Sequence, residues 1–144
     1  MSEQIKLQKL KEQMSLLAEQ IAKQGFGITL DYSIESIKQV EQILATVHKE
    51  YKKTRSEDGL QGIAFEFGAY IVKVIENNFG PAEWQRNHKS VGENTFPLQW
   101  RDATLFPVEW CKKRIFDGSE DDVWIKFKIF VLDTMQEDIK TNSH

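Results

Sequence analysis

Apolar residues recur at helical spacing through roughly the first 80 positions of the chain, change to a period of two, and then return to helical spacing. From Glu3 to Gln24, Leu7, Leu10, Met14, Leu17 and Ile21 alternate at spacings of three and four, which predicts a helix carrying an a/d seam. Its other faces hold Lys, Glu and Gln, all good helix formers. Gly25 and Gly27 stop it, because glycine readily adopts the left-handed backbone of a C-cap. So narrow a stripe suits a helix laid across its own domain. The competing arrangement is a seam between two subunits, a homodimer through this first helix. Two heptads fall short of the roughly three to four that argue a coiled coil.

A second helix is expected after Leu30-Asp31-Tyr32-Ser33, where Ser33 or Asp31 can accept a hydrogen bond from the first turn. Ile34, Ile37, Val40, Ile43, Leu44, Val47 and Tyr51 carry its stripe to about Lys53. A third runs from about Glu57 to Asn78, with Leu60, Ile63, Ala64, Phe67, Ile71, Val74 and Ile75 inward. Phe65, Ala69, Tyr70 and Val72 make it apolar on more than one side, the mark of a central helix. Gly62 and Gly68 each cost about 1 kcal/mol relative to Ala inside a helix, so close approach of a neighbour is the expected reason for them.

Beyond Ala82 helical spacing lapses. Phe96, Leu98 and Trp100 alternate, as do Phe106, Val108 and Trp110, and three short strands are predicted near Glu83–Arg86, Phe96–Arg101 and Val108–Phe116. Pro97 and Pro107 place those runs at strand starts, edges or bulges. A fourth helix then opens at Ser119-Glu120-Asp121-Asp122, with Ser119 as cap and the acids favoured by the helix dipole. Val123, Phe127, Phe130, Val131 and Met135 line its buried face, and a fraying tail runs from Lys140 to His144. The expected architecture is α+β: four helices with a small antiparallel sheet of about three strands between the third and fourth. The expected organisation is one domain over residues 1–144, an amphipathic helix at 1–25 on a core of 29–135.

Composition narrows the class of function. A hydrophobic share of 40% with 11% aromatic is enough to fill a core and argues against disorder. The net charge of −3 lacks the basic excess of general nucleic-acid binding, so nucleic acid is an unfavoured partner. Cys111 is the single cysteine, which rules out an internal disulfide. Met1 to Lys11 has no continuous apolar stretch, and no run approaches the ~20 apolar residues of a membrane span. The expectation is a cytoplasmic protein with no membrane partner.

No catalytic, metal or cofactor motif emerges. His48, His88 and His144 are far apart and Cys111 stands alone, so neither a zinc site nor a cofactor is expected. Cys111 reads as a small packed residue. Gly59-Leu60-Gln61-Gly62 lacks the pattern of a phosphate-binding loop. One constellation stands out: Trp84 with Arg86, Trp100 with Arg101, and Trp110 with Lys112, Lys113 and Arg114, aromatic rings beside cations in the strand region. Such residues are enriched where proteins meet partners. The simpler reading puts the Trp rings in the core and turns the basic residues outward. Glu66, within the most apolar helix and one turn before Tyr70, is the other candidate, as a partly buried carboxylate that acts on a ligand or pairs with a cation.

Three stretches carry a resemblance: Leu30-Asp31-Tyr32-Ser33-Ile34-Glu35-Ser36-Ile37; Phe67-Gly68-Ala69-Tyr70-Ile71-Val72-Lys73-Val74-Ile75 leading to Gly80 and Trp84; and Phe106-Pro107 through Lys113-Arg114-Ile115-Phe116-Asp117-Gly118 with Glu120-Asp121. In their order the chain resembles an uncharacterised family of bacterial domains that read LDYS, GAY followed by apolar residues, and G..W. The resemblance spans roughly Thr29 to Val131 and leaves the first helix outside. Where such domains carry Gly-Glu after that stretch, this chain has Val72-Lys73. The resemblance implies a shared fold and a bacterial origin, and it brings no activity with it.

The leading expectation is therefore a non-enzymatic binding protein for another protein, immunity- or adaptor-like, with Arg101, Lys112 and Arg114 beside Trp110 at its interface. The alternative is a small-molecule binder or small enzyme with a cleft between the third helix and the sheet, lined by Glu66, Tyr70, Trp84 and Trp100.

Overall fold

A computed structural model describes the backbone of residues 2–142 and the side chains of residues 2–137. It holds five helices and a three-stranded antiparallel sheet: α1 (Glu3–Phe26), α2 (Ser36–Thr54), α3 (Leu60–Phe79), β1 (Glu83–Trp84), β2 (Leu98–Trp100), β3 (Ala103–Leu105), α4 (Pro107–Phe116), and a final helix α5. Helix α5 is built from an α-helical turn Val123–Phe127, a π-helical stretch Lys128–Leu132 and an α-helical end Asp133–Asn142. The α+β class stands, with five helices in place of four. The end of the expected tail, Ser143 and His144, lies outside the described residues.

The additional helix is α4, which replaces the expected third strand. Alternation at Phe106, Val108 and Trp110 suggested a strand, yet Val108, Cys111 and Ile115 also fall at spacings of three and four, and all three are buried. Pro107 occupies the first turn of α4, where its missing N–H leaves no hydrogen bond unmade. The third strand lies earlier, at Ala103–Leu105, and pairs with β2 across the two-residue turn Arg101-Asp102. Leu98, Trp100 and Leu105 point into the core, while Thr104 on the other face donates a 2.9 Å hydrogen bond to Gln99 Oε1.

Helix α1 also packs differently from its apolar stripe. Its buried residues are Leu7, Lys11, Ser15, Ala18 and Ala22, a face rotated from the expected seam. Leu10, Met14 and Ile21 are half-buried on the flank and Leu17 is exposed. Small residues at Ser15, Ala18 and Ala22 suit a close approach to α3, and Lys11 enters that contact through a 2.6 Å ion pair with Glu76 and a hydrogen bond to Gln8. Ser2 caps the helix through the Ile5 N–H, and Gly27 closes it at φ +66°.

Helix α3 is central, with α1 and α4 packed along it. Ala64, Phe67, Ala69, Tyr70, Ile71, Val72, Val74 and Ile75 are fully buried. Gly68 has the expected close neighbour: a Cβ there would lie 2.5–2.9 Å from Cγ2, Cα and N of Val108 on α4. Gly62 has none, and a Cβ there would meet only Glu66 Oε1 at 3.8 Å. Ser33 caps the start of α2 as expected, accepting the Ser36 N–H at 3.1 Å. At the start of α5 the cap is Asp122, which accepts the Ile125 N–H at 2.9 Å, because Ser119 begins a separate 3-10 turn, Ser119–Asp121.

Candidate functional site

The residues singled out from the sequence divide into five environments. Tyr70 is buried on α3: its hydroxyl donates to Ser36 Oγ and accepts the Tyr32 N–H, both at 2.8 Å. Tyr32 adopts φ +61°, stacks on Tyr70 at 4.6 Å between ring centres, and donates its own hydroxyl to Glu19 at 2.7 Å. Burial pushes both phenols up, Tyr32 the more strongly with the Glu19 carboxylate adding to it, so both remain protonated donors at neutral pH. The Leu30-Asp31-Tyr32-Ser33 and Gly68-Ala69-Tyr70 stretches therefore meet in one hydrogen-bonded clamp, and Gly68 brings the third stretch to them through Val108.

Trp84 and Trp100 belong to the core. Trp84 donates Nε1–H to Phe96 O at 3.2 Å and packs against Phe65 and Phe96, while Trp100 is fully buried against Phe79. Arg101 sits on the β2–β3 turn at φ +54°, its guanidinium 5.3 Å from the Trp100 ring centre.

Arg114 is 5% exposed and faces inward from α4. Its Nε donates to both Glu41 carboxylate oxygens at 2.9 Å, and Glu41 also accepts the Val123 N–H at 3.1 Å, tying α2, α4 and α5 together. Burial pushes the Glu41 carboxyl up, and the bonds from Val123 and Arg114 offset part of that. Lys112 pairs with Glu109 one turn away at 3.2 Å. Cys111 is completely buried, and burial pushes its thiol far above the range in which a thiolate forms.

Glu66 is half-buried on α3, and its Oε2 has no hydrogen-bond partner; burial raises its carboxyl. Among the described residues the other buried polar side-chain atoms without a partner are Trp100 Nε1 and Arg114 Nη1. Glu66, Tyr70, Trp84 and Trp100 are engaged separately: Tyr70 turns to Tyr32 and Ser36 at the start of α2, Trp84 packs on Phe65 and Phe96, and Trp100 on Phe79. Among the described residues no group of three His, Cys, Asp or Glu side chains is placed to hold a metal.

Trp110 leads to a different kind of place. It is 7% exposed at the base of a groove of about 490 Å³ between α4, α5 and the loop joining β1 to β2. Phe130 from the π-helical stretch stacks on it, with centres 5.9 Å apart and planes 22° from parallel, yet keeps 47% of its surface exposed. Phe106 and Val91 form the walls. The loop is tied in place by His88, whose Nδ1 accepts the Ser90 and Val91 N–H groups at 3.1 Å and whose ring packs 5.5 Å from Phe106. Val91 itself is 56% exposed.

Local sequence explains why apolar groups stand open here. A π-helical turn closes i→i+5 and holds more residues than an α-helical one. Val123, Phe127 and Val131, four apart, thus stay on the core side. Ile125, Ile129 and Phe130 are left outside at 52%, 51% and 47% exposure. The expected buried face of this helix included Phe130, which instead lines the groove. The sequence signal for it was present: Ile125 and Ile129 are large apolar residues lying off the core stripe, and singly such residues carry no meaning.

Charge completes the groove. Lys126 is held at its edge by a 2.9 Å ion pair with Asp121. Lys113 is exposed, and among the described residues no carboxylate pairs with it. Glu109, the carboxylate that lines the groove, is engaged by Lys112. No helix among the described residues is long and apolar enough to cross a membrane. Comparison of the chain with protein-family models, with curated proteins and with solved structures gives no match.

Proposed function

We propose that this chain is a non-enzymatic binding protein for another protein, immunity- or adaptor-like, and that the partner docks in the groove over Trp110 and Phe130. The observation that carries the reading is Phe130, a large aromatic residue stacked on a rigid, nearly buried Trp with about half of its surface open. Interface hot spots are built in this way, with aromatic anchors supported by packed neighbours. Val91, Ile125 and Ile129 add exposed apolar surface on the loop and helix that carry the groove.

A small-molecule cleft at Glu66 draws less support, since its proposed lining is occupied by other side chains. Single-stranded nucleic acid is also less well supported. The chain carries −3 overall, and one face of Phe130 is covered by Trp110, which leaves little of the ring platform that bases stack on.

Native mass spectrometry of the chain gently isolated from its own cells tests the reading. The wild type is expected to carry a stoichiometric protein adduct that Phe130→Ser abolishes while remaining folded and cooperative in its melting. An adduct retained by Phe130→Ser, or a bare chain in both samples, would count against it.

A further inference from the structure

We infer that the segment docking in this groove is acidic as well as apolar: bulky side chains over Trp110 and Phe130, with carboxylates reaching Lys113 and Lys126. The inference rests on the docking role proposed above and adds the chemistry of the occupant. Apolar contact alone does not choose between partners, because any Leu- or Phe-bearing segment gains from covering the groove. The charges choose. Lys113 and Lys126 stand at a groove whose one carboxylate, Glu109, is already engaged by Lys112 on the same helix. The Lys126 ammonium is fixed by Asp121 at 2.9 Å, so its position is set before a partner arrives.

Lys113 has no acid of its own among the described residues, so a partner carboxylate gains an ion pair there without displacing an existing one. A basic segment would instead meet the ammonium of Lys113, which no acid among the described residues offsets, while Asp121 already compensates Lys126, and like-charge juxtaposition discriminates against a wrong partner. An open groove of about 490 Å³ beside an exposed helix face is suited to a segment of chain that lies along it.

A displayed library of random peptides selected on the intact chain tests this, followed by binding titrations of the enriched peptides at two salt concentrations. The expected outcome is enrichment of peptides with bulky apolar residues next to Asp or Glu. Their binding should weaken at least about thirtyfold with Phe130→Ser, the scale of a hot-spot residue. It should weaken about three- to tenfold with Lys113→Glu and as salt rises. Lys113→Glu should also select peptides richer in Lys and Arg than the wild type does. Peptides that depend on Phe130 but show no acidic preference would overturn the inference and leave the docking role standing. Failure to enrich any peptide that depends on Phe130, or tighter binding of oligothymidylate than of peptides, would overturn both.

Discussion

Two of the aromatic clusters in this molecule read almost alike in the sequence. One is Phe65, Trp84 and Phe96, with rings 4.6–5.7 Å apart and Arg86 6.0 Å from Phe96. The other is Phe106, Trp110 and Phe130, with Lys113 and Lys126 around it. Each sets a Trp two or three residues before a cation. The first is closed: Trp84 is buried, and its N–H is satisfied by the Phe96 carbonyl. The second is open, because α5 departs from α-helical geometry where it passes α4 and turns Phe130 outward. An aromatic residue beside a cation therefore does not mark an interface by itself. The local backbone decides which cluster is core and which is surface.

The comparison makes predictions of graded size. Trp84→Ala should cost about 3–5 kcal/mol by urea denaturation, the usual loss for a large core aromatic residue. A cost under 1 kcal/mol would show that this cluster is not closed. Gly68→Ala should cost about 1–3 kcal/mol or more, because the added methyl meets the backbone of Val108 and displaces α4, which carries Trp110. Tyr70→Phe should cost about 1–3 kcal/mol, since it strips the acceptor from the Tyr32 N–H and leaves Ser36 without its donor. Phe130→Ser should cost about 0.5–1.5 kcal/mol, the scale of one aromatic pair, because about half of its surface is already open.

Glu66 supplies a prediction of sign. Burial raises its carboxyl in the folded state, so between the ordinary carboxyl range and that raised value the folded chain holds more protons than the unfolded one. Stability contributed by this group is present at lower pH and falls as pH rises through that window. Glu66→Gln should therefore be the more stable protein at neutral pH, and its advantage should shrink as the pH is lowered through the window. An unchanged difference between pH 7 and pH 4 in matched melting curves would refute this account of the site.

How much of this was legible in the sequence follows from what the residues encode locally. Helices α2 and α3 were visible because their core faces are strongly apolar, as was the Ser33 cap. The clash that requires Gly68 was anticipated from a glycine inside a helix, though its partner Val108 was not. Helix α4 was hidden because Phe106, Val108 and Trp110 fit a strand as well as Val108, Cys111 and Ile115 fit a helix.

The true face of α1 was hidden for a different reason. Lys11, Ser15, Ala18 and Ala22 are chosen for close approach and for an ion pair with a residue 65 positions away, and hydrophobicity does not register either. The inward role of Arg114 depends on Glu41, 73 residues earlier. The groove needed three distant segments and a π-helical stretch, and of its residues Trp110 and Lys113 were singled out beforehand, as members of the aromatic-and-cation constellation.

The central claim is that the open cluster is where a partner sits. A photo-crosslinking amino acid placed at Phe130, at Ile129 and, as a control, at exposed Gln13 on α1 tests it in the cells the chain comes from. One discrete protein adduct from positions 130 and 129, with none from 13, is the predicted result. Adducts of equal yield from all three positions, or none from position 130, would contradict it.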